Sequence, residues 1–261
     1  MISKKITSIL VCSIVLSLVL VGQSLAVIKK ENVKGVWLLD DAGTVAKDSS
    51  GNKNDGDIQG KPKSVPGKFG KALEFDGTNG VEIMDPEKFN FLTWTYTLWF
   101  RAAAGGDYPN LIGRQFANTH GWTIHLDPGR ATFRIRIDTD GGVNQVKTVP
   151  GIIADEEWHH GVITHDEKSK KLVFYYDGVK GESSYAGEYK NSGGFLKIAF
   201  AAVGAVNLRD AAIDEVAIFD SLLEEEDVVN IMTKGLGEVI PGIIAVSPEG
   251  SLAATWGQIK E

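Results

Sequence analysis

The chain has 261 residues, 43% of them hydrophobic, with 30 glycines, one cysteine and a formal net charge of −7. That is enough chain for one large domain with its own core. The acidic balance excludes a surface built for phosphate backbones, so nucleic acid is not an expected partner.

Lys4 and Lys5, the apolar run Ile6 to Val21 and the small residues of Ser24-Leu25-Ala26 read as a signal peptide over residues 1–26, with cleavage after Ala26. The apolar run is short for a bilayer span, so none is expected after cleavage. The protein is expected to be secreted or to sit on the exterior of the cell envelope. Cys12 leaves with the leader, and loss of Lys4 and Lys5 takes the net charge to −9. An exported domain without disulfides is held by its core, with a metal as the other available staple.

From Gly35 to about Phe219, short apolar runs alternate with Gly, Asn and Asp turns, and no helical period interrupts them. The expected strands are Gly35–Asp40, Ala72–Phe75, Val81–Met84, Thr95–Ala102, Asn110–Gln115, Trp122–Leu126, Thr132–Thr139, Val143–Val149, Trp158–His165, Leu172–Tyr176, Leu196–Ala202 and Ile213–Phe219. Asp76-Gly77, Asp140-Gly141-Gly142 and Asp177-Gly178 supply the left-handed conformations of tight hairpins. This is the pattern of an all-β, two-sheet sandwich.

Along Phe133–Asp138, Phe133, Ile135 and Ile137 alternate with Arg134, Arg136 and Asp138, so that strand has one face in the core and one in water. In Trp94–Arg101 one face is apolar (Trp94, Tyr96, Leu98, Phe100) and the other mixed (Thr95, Thr97, Trp99, Arg101), and Trp99 is read as lying beneath a covering loop, with an open sheet face as the alternative. In Ile213–Phe219, alternation puts Asp214 in one row with Val216 and Ile218. A carboxylate there needs a partner. Ser221 with Glu224 then reads as a capping box for one short amphipathic helix, closed by Lys234 and Gly235, with Glu224 itself as the other cap. One domain over residues 33–235 is expected, followed by a linker and short tail over 236–261.

The segments GVWLLDD (Gly35–Asp41), DSSGNKNDG (Asp48–Gly56), GKFGKALEFDG (Gly67–Gly77), EWHHGVITHD (Glu157–Asp166), LVFYYDGV (Leu172–Val179) and IDEVAIFD (Ile213–Asp220) follow one another in a family order. In these six pieces the chain resembles the laminin-G-like, concanavalin A-like lectin/glucanase domains of bacterial exported proteins. The resemblance implies an antiparallel jelly-roll sandwich with one short C-terminal helix.

Some members of that family hydrolyse glycosidic bonds with a Glu-x-Asp-x-x-Glu strand, which supplies the two carboxylates the chemistry needs. That motif is absent, and Asp155, Glu156 and Glu157 are consecutive acids in a turn rather than a substitute. His159 and His160 point to opposite faces of one strand, so they are read as structural rather than as zinc ligands. The first functional reading is therefore a non-catalytic extracellular module that binds carbohydrate or a protein partner. Its candidate contacts are Trp99, Tyr108, Tyr185 and Tyr189, with Arg134 and Arg136 as polar neighbours; the alternative for the tyrosines is that they pin their own loops. A second reading is a structural or adhesive unit of a surface assembly attached through its tail. A third, a glycoside hydrolase, rests on fold analogy alone.

The resemblance also implies a structural calcium ion that ties the first strand, the loop Asp48–Gly56 and the last strand together. Its expected ligands are Asp41, Asn54 and Asp214, with Asp48 and the carbonyls of Gly51 or Asn52. The alternative is that Asp214 accepts backbone hydrogen bonds with no metal present.

Overall fold

The computed structural model describes residues 28–243 except 41–42, 86, 104, 106–107, 117–119, 128–131, 148–154, 191–193 and 202–205. The expected leader, Asp41 and the tail beyond Ile243 lie outside the described residues. Sixteen strands among those residues form two antiparallel sheets. In spatial order the first sheet is β14 (Val179–Ser184), β13 (Lys171–Tyr176), β12 (Trp158–Asp166), β7 (Thr93–Ala102), β16 (Arg209–Phe219), β5 (Lys71–Asp76) and β4 (Lys63–Pro66), with β1 (Val33–Trp37) also paired to β16. The second is β11 (Gly142–Lys147), β10 (Phe133–Thr139), β9 (His120–Leu126), β8 (Asn110–Phe116), β15 (Leu196–Ile198), β6 (Gly80–Ile83), β3 (Gly56–Gln59) and β2 (Val45–Ala46).

The sheets pack through one continuous core. Trp94, Tyr96, Leu98 and Phe100 of β7 meet Phe133, Ile135 and Ile137 of β10 there, as their alternation predicts. The other face of β7, with Thr95, Thr97 and Trp99, is covered as well. A second apolar layer lies against the first sheet, built from Val36, Val162, Tyr175 and Phe219 together with Val228 and Ile231 of the helix α1 (Glu225–Lys234). Each such side chain contributes about 1.5–3 kcal/mol by leaving water. Ile28 before β1, and Leu236, Ile240 and Ile243 around the short helix α2 (Leu236–Val239), belong to the same layer. The packed unit thus reaches from Ile28 to Ile243, past the expected limits 33–235 and into the expected linker.

Three local expectations change. The Asp140-Gly141 and Asp177-Gly178 turns do close two-residue hairpins, between Thr139 and Gly142 and between Tyr176 and Val179. Asp76-Gly77 does not: β5 and β6 belong to different sheets, so this turn carries the chain across the sandwich. There Asp76 Oδ1 accepts from Thr78 N at 2.9 Å, an Asx turn in place of a hairpin. The cap of α1 is Glu224, whose side chain reaches back to Asp227 in a reciprocal box, and the Ser221 carbonyl instead accepts from Thr95 Oγ1 at 2.7 Å.

The third change lies in β16. Its register against β7 breaks between Asp214 and Ala217, and Glu215 has φ of 51°. This bulge inserts one residue and reverses the parity of everything after it. Ile213, Val216 and Ile218 all enter the inter-sheet core, whereas Ala217 and Phe219 join the outer layer. Asp214 stands opposite Trp99 on the outer face, not in one row with Val216 and Ile218.

Candidate functional site

The second sheet has no helix over its outer face among the described residues, and its polar side chains line up there. Register places Asp57, Glu82, Lys197, Gly113, Thr123 and Arg136 in one row across six strands, with Gly113 and Thr123 buried. A neighbouring row runs Asn110, His125 and Arg134. The floor of this face is closed by ion pairs. Arg134 grips Asp127 with Nε 2.6 Å from Oδ1 and Nη2 2.9 Å from Oδ2, both side chains 9% exposed, and Arg136 Nε lies 3.2 Å from Asp138 Oδ1. A bidentate guanidinium–carboxylate contact fixes orientation as well as charge. Burial and the Arg134 charge push the His125 imidazole down to about 4, so it is neutral near pH 7.

Over this floor stands Tyr108, 43% exposed, with its ring 5.5 Å from the Arg134 guanidinium and edge-on to His125 at 5.8 Å. Val206, also exposed, pairs with Pro109 beside it. An aromatic ring held by a cation and a histidine above a paired polar floor is a platform for a ligand with one apolar face and many hydroxyls. Farther along the same sheet, the partly exposed Phe200 borders an open groove of about 510 Å³ with Gln59, Thr78, Glu82, Lys197 and Asn207.

A cleft of about 370 Å³ at the far edge of the first sheet is lined by Lys61, Lys63, Arg101, Glu74, Asp76 and Asp210. Among the described residues its one ring, Phe75, is 1% exposed and belongs to the core.

A family model described as the concanavalin A-like lectin/glucanases superfamily matches residues 75–229, more than half of the chain. The chain belongs to that superfamily. No curated protein matches it. Among solved structures, this concanavalin A-like chain is similar to the binding domain of Paraclostridial Mosquitocidal Protein 1, with a TM-score of 0.65 and 17% identity over 78% of this chain and 52% of that one. It is also similar to domain 4 of AbnA, an extracellular arabinanase from Geobacillus stearothermophilus solved with arabinotriose, with a TM-score of 0.62 and 16% identity over 77% of this chain and 98% of that one. A third is the binding domain of botulinum neurotoxin DC in complex with SialylT, with a TM-score of 0.60 and 13% identity over 78% of this chain and 51% of that one. The chain therefore spans about half of the toxin domains and nearly all of the arabinanase domain. At these identities the likeness shows the fold, and function has to come from the site.

Of the six expected contact residues, the concanavalin A-like fold brings three together: Tyr108, Arg134 and Arg136. Arg134 faces outward as its alternation predicts, yet it and Asp138 are buried rather than bathed in water, because each is locked in an ion pair. Trp99 is 3% exposed beneath Lys68, whose Nζ is 4.4 Å from its ring, and against Phe69 and His160. The covered reading of Trp99 holds, and its ring presents no surface to a ligand. Tyr185 and Tyr189 are each 8% exposed and belong to the core. The loop that carries them pairs with the end of β10 through Lys190 N to Asp138 O and Asp140 N to Glu188 O, which turns both rings inward around His165. Tyr185 OH donates to Glu167 there, and burial raises its pKa. The alternative that these tyrosines pin their own loop is what the geometry shows.

Among the described residues, the expected calcium ligands fall into two separate hydrogen-bonded groups. Both Asp48 oxygens are occupied by backbone donors, Oδ1 by Val36 N and Ser50 N and Oδ2 by Asn54 N. The Asn54 amide donates to Lys34 O at 2.7 Å. Asp214 accepts from Lys68 N at 2.7 Å and Phe69 N at 3.0 Å, so its loop is Gly67–Gly70 rather than Asp48–Gly56. Gly67 permits this approach, since a Cβ there would sit 2.5 Å from Asp214 Oδ2. Among the described residues no three His, Cys, Asp or Glu side chains form a metal-holding group.

Proposed function

We propose that this chain is a non-catalytic binding module that works outside the cell and takes a glycan on the outer face of its second sheet. The observation that carries this reading is Tyr108: an exposed ring fixed by Arg134 and His125 over a floor whose charges are already paired. Such a platform can stack on the apolar face of a sugar ring, and the partly exposed Arg136 beside it offers donors to hydroxyls. The similar solved structures that carry arabinotriose or SialylT support the reading as analogy. The leader read in residues 1–26 supports an extracellular site of action.

Hydrolysis fits this face poorly. Glycoside cleavage needs one carboxylic acid free to protonate the leaving oxygen and a second carboxylate across the bond. Asp127 and Asp138 are each held by a guanidinium, and the family's paired-carboxylate strand motif is missing.

A glycan array probed with the wild-type chain and with Tyr108→Ala tests the proposal. Loss of an exposed anchoring ring is expected to weaken every bound glycan about tenfold or more while the unfolding midpoint stays where it was. Equal binding by the two proteins would move the site elsewhere, and new reducing ends from any bound polysaccharide would make the chain an enzyme.

A further inference from the structure

We propose that this chain pairs with a second copy of itself along the free edge of β14, joining two first sheets into one across a two-fold axis at Gly181.

The edge is open and regular. β14 ends the first sheet, and its six residues Val179–Ser184 pair with β13 in an unbroken register. Among the described residues, no backbone group of 179–184 takes part in a backbone hydrogen bond outside that pairing. Unpaired N–H and C=O groups along a strand are a template for another strand, and proteins blunt such edges with prolines, bulges or very short strands. The opposite edge of this sheet is blunted in that way, since β4 has four residues and ends in Pro66. β14 has neither a proline nor a bulge, and Val179 at its start is 56% exposed.

The sequence of the strand selects the partner. Lys180 and Glu182 stand opposite Tyr175 and Val173, so both lie on the outer face, where Lys180 Nζ is 5.9 Å from the Tyr175 ring. Val179, Gly181 and Ser183 stand opposite Tyr176, Phe174 and Leu172 on the inter-sheet side. Two antiparallel copies keep each face continuous only when a two-fold axis perpendicular to the sheet passes through a residue. Axes at Gly181 and at Glu182 pair the most residues, five from each strand. The axis at Glu182 sets that acid against its own copy, and like charges directly opposite repel. The axis at Gly181 instead places Lys180 opposite the second copy's Glu182, and Glu182 opposite the second copy's Lys180. One complementary pair of residues thus makes two ion pairs.

Both charges are available for this. Glu182 reaches Lys171 only at 4.0 Å, with both side chains more than half exposed. Such a contact contributes little and yields easily. Gly181 suits the axis as well, because the Phe174 ring of its own chain fills the space a Cβ would need, so no side chain stands at the seam. The perpendicular axis also leaves the second sheets of both copies on one side, with the two Tyr108 platforms facing the same way. A surface bearing several ligands would then be held by two sites at once. That consequence alone rests on the glycan reading.

Sedimentation velocity of the wild-type chain over a range of concentrations tests the pairing. A seam of one short strand per copy is smaller than a standard interface, so a Kd of about 10 μM to 1 mM is expected. Association should stop at the dimer, because an isologous contact closes on itself. Glu182→Lys sets lysine against lysine at both pairs, and Lys180→Glu sets acid against acid. Each is expected to weaken the dimer about tenfold or more while the unfolding midpoint stays where it was. Mixed together, the two variants should form a heterodimer about as tight as the wild-type dimer, since every cation of one then meets an acid of the other. A wild type that stays monomeric at about 1 mM, one that grows past the dimer, or a dimer indifferent to both reversals would overturn the proposal. None of these outcomes touches the glycan site, which Tyr108→Ala tests by itself.

Discussion

Arg134→Ala is expected to destabilise the fold by about 3–5 kcal/mol, as for other buried pairs broken from one side. The guanidinium holds both oxygens of Asp127, and neither side chain is more than 9% exposed. Removing it strands a carboxylate that has little access to water, and Asp127→Ala strands the guanidinium in the same way. Urea unfolding measures the loss. The double replacement Arg134→Leu with Asp127→Leu should recover most of it, since a buried pair contributes little over apolar residues of similar volume. Binding should not recover, because Tyr108 then has no cation beneath its ring. A cost below about 1 kcal/mol for Arg134→Ala would mean the pair behaves like a solvated surface bridge, and the platform would lack the rigid floor argued for it.

Asp214→Asn should make the protein more stable than wild type by about 3–5 kcal/mol at pH 8 and nearly equal to it near pH 4. Burial, then the neighbouring charges of Glu215 and Asp40, push this carboxyl up to about 8 despite the Lys68 and Phe69 amides that favour its ionised form. Between the ordinary carboxylate range and about 8, the folded protein therefore holds a proton that the unfolded chain has released. The stability this gives is complete below pH 4 and is lost as pH rises through about 8. Glu215, raised to about 7 mainly by burial, adds a contribution of the same sign. The buried imidazoles of His160, His165 and His125, pushed down to about 3, 4 and 4, act oppositely by opposing acidification below about 6.5. Comparing wild type with the variant at each pH cancels them. Asparagine retains an oxygen for the two loop amides, so the variant should keep the Gly67–Gly70 turn. Curves with excess calcium and with chelator are expected to coincide. A midpoint that falls with chelator would show that Asp214 Oδ1, which has no protein partner among the described residues, takes a cation after all.

Much of the architecture is legible in the chain itself. Alternation in Phe133–Asp138 and in Trp94–Arg101 determines which side chains face the core, because a strand's period of two leaves no other choice. Asp140-Gly141 and Asp177-Gly178 determine two hairpins through the backbone angles they tolerate. The same alternation set Arg134 and Arg136 on one face, and His125 between Ile124 and Leu126 carried an equal signal that a search for exposed aromatics passes over.

What the tertiary structure decided lies wherever local pattern is silent about pairing. A single extra residue at Asp214–Glu215 reversed the faces of β16, and nothing in an apolar run announces a bulge. Tyr185 and Tyr189 turned inward because their loop found backbone partners along β10, a choice made by hydrogen bonds far apart in sequence. The Phe200 groove is assembled from residues 59, 78, 82, 197, 200 and 207, which only sheet register brings together. Composition and periodicity report how each strand divides between core and surface. They hold no record of which distant strand will lie beside it, and a site made across strands exists only once that neighbour is fixed.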